Sequence, residues 1–327
     1  VLIKHSFLYK VKLGSMNFYF RDYNKETGEI SELKSLDELK DSLNTIWGSG
    51  FFINKKGDVI TNRHIVEVKP SEEDQNKILK HLKSVYNNSY QSDSLRENRI
   101  INRLDEIKYT TSNIDLTDYE YSNIEYEYNT LLEELKEVEF SKSFNKFVLD
   151  LHSLPNNFVT KSSFEFGIFF NHQKSTNYKD YIKYKSQIVS KDELVDLALL
   201  SVVNNNDLLN KMIAPVDLTL FDSINLKPRQ INDKVIMIAF NRGSYLADTS
   251  NGFNAQLTEG NISQINDDHK ILYTIPALPG SSGAPVFDIY GRLISVNFAG
   301  LVNTQSFNYG IQTKSLYNFL NLIKSKP

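Results

Sequence analysis

The sequence predicts a mainly β protein that is interrupted by a large α-helical insertion. Two stretches of the 327-residue chain, 1–66 and 158 to nearly the end, alternate short apolar runs with turn residues, as strands do. Between them, residues about 68–157 are highly charged and place apolar residues three and four positions apart, which is the period of a helix. This order of strands, helices and strands indicates an insertion into a β domain.

Apolar runs of strand length support the β assignment. Gly50-Phe51-Phe52-Ile53 is followed by Lys55-Lys56-Gly57 and Val59-Ile60-Thr61, which predicts a hairpin. Two later runs, 235–239 and 293–296, have the length and composition of buried strands.

Helical periodicity defines the insertion. Ser71, followed by Glu72-Glu73-Asp74, has the composition of a helix N-terminus. The clearest pattern runs from Tyr121 to Val138 and resembles a heptad seam. Such a seam most often packs helices on each other or on a barrel; a recognition or regulatory surface is the alternative. We predict separate helices around 71–86, 100–107, 121–138 and 144–151, and shorter ones at Ser35 to about Leu43 and Ser315 to about Ile323.

Composition excludes several classes of function. The net charge of −3 and pI near 6.1 give no basic field for nucleic acid or anionic lipid. The absence of Cys removes disulfides, thiolate zinc sites and a cysteine nucleophile. No metalloprotease or phosphate-loop motif is present, so no metal or cofactor is expected. No membrane-spanning run and no leader are visible, which favours the cytoplasm unless the native N-terminus lies further upstream.

The segment Leu278-Pro279-Gly280-Ser281-Ser282-Gly283-Ala284-Pro285 carries the strongest chemical signal. A serine that attacks an acyl group must project from a tight turn, beside backbone N–H groups that receive the developing oxyanion. Glycine permits such a turn because it tolerates unusual backbone angles. Ser282 is therefore the candidate nucleophile, and the N–H groups of Gly280 and Ser282 are the candidate oxyanion hole. A plain Gly/Ser hairpin loop is the alternative interpretation.

A base and an acid accompany this serine. His64 closes the predicted hairpin, where a strand end can present it at a cleft, and a serine nucleophile needs a base to take its proton. Asp196 heads the apolar run 197–200, where a buried carboxylate is costly unless it is paired. An imidazole N–H would be that partner. Asp192, outside the apolar run, is the competing acid.

Together these segments resemble the trypsin-like (chymotrypsin-fold) serine peptidases, and within them the bacterial HtrA/Deg-like branch, as a protease domain without a PDZ domain. The resemblance is carried by Gly48-Ser49-Gly50-Phe51 with Thr61-Asn62-Arg63-His64, by Asp196-Leu197-Ala198-Leu199, and by Gly280 to Pro285. It covers residues about 46–67 and 158–325. It implies two antiparallel six-stranded β-barrels with the active site in the cleft between them.

The resemblance also implies a domain order: N-terminal strands and a short helix at 1–45, a first barrel at 46–205 that includes the insertion, and a second barrel with a C-terminal helix at 206–327. Two departures from the family pattern stand out. Ser281 occupies the place of an Asp that pairs with a newly cut N-terminus in zymogen-activated relatives, so activation by insertion of Val1 is unsupported. The interval from His64 to Asp196 is longer than such relatives need, and the helical insertion accounts for the excess.

By the same resemblance, a specificity pocket has its floor near Pro276 and Ala277 and one wall along Val296, Asn297 and Phe298. Because no acid lies at this floor, a preference for Lys or Arg is not expected. We expect a small or medium apolar side chain at P1 instead.

The predicted function is that of a serine endopeptidase that works through a Ser-His-Asp triad and an acyl-enzyme. A latent form that a partner or a conformational change activates is compatible with this function. The alternative is a catalytically silent binding or regulatory module on a peptidase scaffold, acting through its helical insertion. In either case, helices within 70–155 are candidates for binding a protein partner or a second copy of the chain.

Overall fold

The computed structural model describes residues 1–67, 70–151, 158–174, 184–203, 213–218, 229–265, 269–300 and 307–325. The ends of the predicted insertion, at 68–69 and 152–157, and the predicted start of the second barrel at 206 lie outside these residues. The chain divides into two compact units: the sheet unit, Val1–Leu8, Ser42–Val68 and Lys161–Pro327, and the helical unit, Tyr9–Asp41 and Lys69–Thr160.

Two antiparallel sheets form the N-terminal half of the fold. One has the order β2-β1-β3 with β6 also paired to β1, and the other has the order β4-β5-β8-β7. The strands are β1 (Leu2–Leu13), β2 (Met16–Phe20), β3 (Asn44–Ser49), β4 (Phe51–Phe52), β5 (Asp58–Asn62), β6 (Val159–Phe169), β7 (Ser186–Asp192) and β8 (Leu197–Val202).

Within the sheet unit these two sheets meet at both edges. Gly50 separates β3 from β4, and its N–H donates to the carbonyl of Val1 at 3.0 Å, so one bent strand serves both sheets. At the other edge, a single bridge joins Gly167 of β6 to Lys185. The arrangement is compatible with the predicted first barrel, and among the described residues a single bridge joins the sheets at this edge.

The C-terminal half contains a closed six-stranded barrel of order β12-β13-β16-β15-β14-β9. In β9, Val235, Met237 and Ala239 are fully buried while Ile238 is 43% exposed, the alternation of a half-buried strand. The mainly β fold with a closed barrel and a large helical segment is thus confirmed. The remaining strands are β9 (Lys234–Ala239), β10 (Asp248–Thr249), β11 (Gly252–Phe253), β12 (Gln256–Ile265), β13 (Lys270–Tyr273), β14 (Pro285–Asp288), β15 (Leu293–Gly300) and β16 (Asn308–Gln312).

Two long helices replace the four predicted in the insertion: α3 (Glu72–Asn113) and α4 (Asp118–Leu149). Neither contains Gly or Pro, so its polar stretches do not interrupt it. The predicted N-cap is correct, because Ser71 Oγ accepts from Asp74 N at 3.0 Å. Among the described residues, none of the helices combines the length and the hydrophobicity of a membrane-spanning segment. The described part of the chain also contains the helices α1 (Leu36–Leu39), α2 (Arg63–Val66), α5 (Ser244–Ala247) and α6 (Thr313–Lys324).

The predicted heptad seam packs the two long helices against each other. Val138 of α4 is buried together with Ile100 and Leu104 of α3. Tyr128, Leu131, Leu132 and Leu135 of α4 flank this cluster. One apolar stripe of each helix is therefore used inside the helical unit, as amphipathic helices require.

Candidate active site

His64 and Asp196 are brought together by the pairing of β5 with β8. Asn62, the last residue of β5, pairs with Leu197, the first of β8, so the residues just beyond these strand ends are neighbours. His64 Nδ1 lies 2.7 Å from Asp196 Oδ2, and the backbone N–H of His64 donates to Asp196 Oδ1 at 3.0 Å. Since a carboxylate only accepts, Nδ1 carries the proton and Nε2 is left as the basic nitrogen.

The backbone of Asp196 is held in an uncommon conformation. Its φ is 55°, a left-handed value that Asp tolerates better than most residues. Its carbonyl accepts from Arg63 N at 3.0 Å and from Asn62 Nδ2 at 3.1 Å. The short helix α2 is thereby fixed to the acid at the backbone as well as at the side chain.

Asp192, the competing acid, has a different task. Its Oδ1 accepts from Leu194 N at 2.9 Å and from Val195 N at 3.2 Å. These bonds cap the turn between β7 and β8, a common use of Asp in loops. Asp196, and not Asp192, is thus the acid in contact with His64.

Ser282 lies on a turn flanked by Gly280 with φ 101° and Gly283 with φ 87°, values that disfavour a side chain. A Cβ on Gly283 would lie 2.1 Å from Ser49 O and 2.4 Å from Thr61 Oγ1. Only glycine allows the turn to lie this close to the end of β5, three residues before His64. In the described part of the chain, the Ser282 hydroxyl makes no hydrogen bond to the His64 ring.

The N–H groups of Gly280 and Ser282 have no acceptor among the described residues. The carbonyl of Pro279 accepts from Arg242 N at 2.6 Å. Because C=O and N–H of a trans peptide point in opposite directions, the Gly280 N–H is directed away from Arg242. Two unsatisfied donors beside a serine are what a developing oxyanion requires.

A buried amide supports this turn from inside the barrel. Asn297 is 2% exposed, and its Nδ2 donates to both the carbonyl and the hydroxyl oxygen of Ser281 at 3.1 Å. Its Oδ1 accepts from Tyr273 OH at 2.7 Å. Burial raises the pKa of Tyr273 well above its ordinary value. Sequence reasoning missed this support, although a lone Asn in the apolar run 293–298 was a visible signal.

The residues predicted to line the specificity pocket occupy different environments. Pro276 is exposed and Ala277 half-buried. Val296 is fully buried in an apolar cluster, and Phe298 is partly buried against that cluster. Asn297 binds Ser281, and Val296 and Phe298 pack in an apolar cluster, so side chains of the predicted pocket wall face the interior. The specificity pocket itself stays a prediction.

Two further basic residues, His5 and Lys161, lie next to each other beside α2. His5 Nδ1 lies 2.9 Å from the carbonyl of Ile65, the residue after His64, and 3.1 Å from Lys161 Nζ. Lys161 Nζ also lies 4.0 Å from the centre of the Phe7 ring. Burial lowers the pKa of Lys161 to about 7. Burial, with a smaller effect of Lys161, lowers the pKa of His5 to about 4.

The family model of the trypsin-like peptidase domain matches residues 153–296. Asp196 and Ser282 lie in that segment and His64 lies before it. The match confirms the resemblance to trypsin-like serine peptidases, and it supports a hydrolase that acts on peptide bonds.

Two solved structures are similar to the chain. A serine endoprotease from Yersinia pestis has 12% identity and a TM-score of 0.44, with 98% of this chain and 62% of that chain covered. Rv3671c from M. tuberculosis H37Rv, in an inactive mutant form, has 17% identity and a TM-score of 0.33, with 44% and 67% covered. The chain thus spans about two thirds of the length of each. No curated protein matches it.

Proposed function

We propose that the chain is a serine endopeptidase that hydrolyses peptide bonds of a protein substrate through an acyl-enzyme, with Ser282 as nucleophile, His64 as general base and Asp196 as orienting acid. The observation that carries the proposal is the double hydrogen bond from His64 to Asp196, at 2.7 and 3.0 Å. It fixes both the orientation and the tautomer of the imidazole, which a peptidase scaffold without activity does not need.

Acylation follows from these positions. Ser282 Oγ attacks the substrate carbonyl carbon while its proton passes to His64 Nε2, and the carbonyl oxygen becomes an oxyanion near the N–H groups of Gly280 and Ser282. The loss of one such donor typically costs about 3–4 kcal/mol of transition-state stabilisation. Collapse of the intermediate breaks the C–N bond, and the imidazolium returns its proton to the leaving amine. Asp196 stays ionised and stabilises the imidazolium.

Deacylation repeats the sequence with water. His64 Nε2 takes a proton from the water that attacks the ester carbon, the ester C–O bond breaks, and the proton returns to Ser282 Oγ. The carboxylic acid product leaves and the free enzyme is restored. Each step uses the same base and the same two N–H donors.

The missing hydrogen bond between His64 and Ser282 supports a resting state that substrate, or a partner, completes. Catalytic hydrogen bonds in free enzymes are often long and tighten when substrate binds. His64 is accessible for such an adjustment, since its side chain is 44% exposed.

Cleavage of an unstructured protein substrate tests the proposal. Wild type, Ser282→Ala and His64→Ala are incubated with it, and new termini are mapped by mass spectrometry. We expect wild type alone to produce fragments, with small or medium apolar residues at P1. Identical fragments from Ser282→Ala would refute the nucleophile, and cleavage mainly after Lys or Arg would refute the uncharged pocket.

The second candidate function is a silent binding module, and the surface of α4 favours it. Tyr119, Tyr126 and Phe140 of α4 are 78%, 76% and 72% exposed, and exposed aromatic side chains often mark recognition surfaces. In this case the cleavage assay gives no fragments, while a protein partner or a second copy of the chain binds through α3 and α4. Cleavage of the substrate by the chain with α3 and α4 intact would support the endopeptidase function.

A further inference from the structure

Ser49, the last residue of β3, uses all of its polar groups in long-range hydrogen bonds. It is 1% exposed. Its N–H donates to Ser282 O at 2.8 Å and its carbonyl accepts from Thr61 Oγ1 at 2.8 Å. Its hydroxyl donates to Gly280 O at 2.7 Å and accepts from Phe240 N at 2.9 Å.

The direction of the hydroxyl proton is defined by these partners. Phe240 N–H can only donate, so it occupies a lone pair of Ser49 Oγ. Gly280 O can only accept, so the hydroxyl proton points to it. Both bonds are buried and have ordinary lengths, and a buried polar group that loses its partner pays the full cost of desolvation.

The hydrogen bond from the Ser49 hydroxyl to Gly280 O holds the peptide between Gly280 and Ser281. Gly280 has φ 101°, and a glycine has the widest choice of backbone angles. The peptide before it is held by the bond from Arg242 N to Pro279 O, and the peptide after it by the Ser49 hydroxyl. With both peptides held, the Gly280 N–H keeps one direction.

The backbone of Ser49 connects the same loop to the histidine. Its N–H holds the carbonyl of Ser282, and its carbonyl is held by Thr61, which lies in β5. One residue therefore contacts both N–H donor residues and the strand that leads to His64.

We infer that Ser49 is a positioning residue that holds the oxyanion loop, Pro279–Ser282, in the orientation needed for catalysis. The inference deepens the proposed function and rests on it. Without the hydroxyl, the peptide between Gly280 and Ser281 keeps only the bond from Ser281 N to Leu278 O. The Gly280 N–H on the preceding peptide then depends on the bond from Arg242 N to Pro279 O alone, and its direction toward the oxyanion is held less firmly. The loss falls on the transition state, because the ground-state carbonyl depends little on this donor.

Ser49→Ala tests the inference, with Ser6→Ala as the matched control. Ser6 is also 1% exposed, and its hydroxyl bonds to Thr45 Oγ1 at 3.2 Å within the β1–β3 pair. Each variant loses one buried hydroxyl, and Ser49→Thr restores a hydroxyl. Circular dichroism verifies folding. The readouts are kcat and KM on a peptide found in the cleavage assay, the rate of labelling by a fluorophosphonate, and hydrogen exchange in residues 278–284.

We expect Ser49→Ala to lower kcat and the labelling rate about 10- to 100-fold, with KM changed less than about threefold and faster exchange at Ser281 and Ala284. Ser6→Ala should match wild type, and Ser49→Thr should recover a substantial part of kcat. Wild-type labelling and an unchanged kcat in Ser49→Ala would overturn the inference and leave the proposed function intact. If the fluorophosphonate never labels wild type, the proposed function fails. In that case, hydrogen exchange at Ser281 and Ala284 that is as slow in Ser49→Ala as in wild type would also overturn the positioning role of Ser49.

Discussion

The carboxylate of Asp196 accepts two hydrogen bonds from His64, one from ring Nδ1 at 2.7 Å and one from the backbone N–H at 3.0 Å. The backbone bond fixes where α2 begins, and the ring bond fixes the tautomer. Asp196 thus holds the candidate base through both its backbone and its ring. This arrangement is the basis of the first prediction.

Asp196→Asn should reduce kcat about 10³–10⁴-fold, the loss seen when a triad acid becomes an amide. An Asn side chain can donate to Nδ1, which moves the imidazole proton to Nε2 and removes the base. Kinetics on a cleaved peptide measure the effect. Asp192→Asn is the matched control, because Asp192 only caps a turn, and it should retain near wild-type kcat. Equal losses in both variants would show that local stability, and not the tautomer, is responsible.

Gly280→Ala should impair both activity and stability. Its Cβ would lie 2.5 Å from Phe240 O and 2.6 Å from Gly243 N, at a residue with φ 101°, so the backbone must move. Gly291→Ala is the control for backbone strain alone, since φ is 76° but nothing lies within 4 Å of the added Cβ. We expect at least a tenfold larger loss of kcat for Gly280→Ala, measured by steady-state kinetics. Similar activity in the two variants would contradict a close-packed oxyanion loop.

Asn297→Ala should lower the free energy of unfolding by about 2–3 kcal/mol, because it leaves Tyr273 OH and the Ser281 hydroxyl with fewer partners inside the barrel. Tyr273→Phe should cost less, since it removes one hydroxyl and its bonds to Asn297 Oδ1 and, more weakly, to Tyr309 O. Urea denaturation of the two single variants and the double variant gives their coupling. Strictly additive losses would show that the two side chains do not act as one network.

Lys161→Met should stabilise the protein at neutral pH by on the order of 1–3 kcal/mol. The folded pKa of Lys161 is lowered from 10.5 to about 7, so between these values the unfolded chain binds the additional proton. Wild-type stability therefore rises as the pH increases from about 7 toward 10. The variant should lack this part of the rise.

The control for Lys161 is Lys191→Met, which removes a lysine that pairs with Glu67 near the surface. Its stability should show no comparable gain at pH 7. Urea denaturation between pH 6 and 10 makes the comparison. A stability difference between wild type and Lys161→Met that is constant over this range would contradict the lowered pKa.

Apolar runs in the sequence were sufficient to single out His64 and Asp196 as candidates for a base and an acid, while their roles in catalysis stay a prediction. His64 lies two residues after β5 and Asp196 directly before β8, and the antiparallel pairing of these strands brings the two residues together. The apolar runs 235–239 and 293–296 also form strands, β9 and β15, because the length and composition of such a run are local properties of the sequence. The assignment of Ser282 as nucleophile stays a prediction.

Other features depend on contacts that no local pattern contains. Ser49 is 231 residues from Gly280 in the chain, so its role depends on how the strands are assembled. Asn297 was predicted at a pocket wall, yet its amide reaches Ser281. The structure has two long helices where four were predicted, because the polar residues between the apolar stretches are compatible with a continuous helix.

Covalent labelling tests the central claim most directly. Wild type, Ser282→Ala, His64→Ala and Ser6→Ala are treated with a fluorophosphonate, and the modified residue is located by peptide mass spectrometry. We predict one adduct, on Ser282, at equal rates in wild type and Ser6→Ala, at least 10³-fold slower in His64→Ala and absent in Ser282→Ala. An adduct on a different serine, or labelling of Ser282 that does not depend on His64, would contradict the assignment of this site.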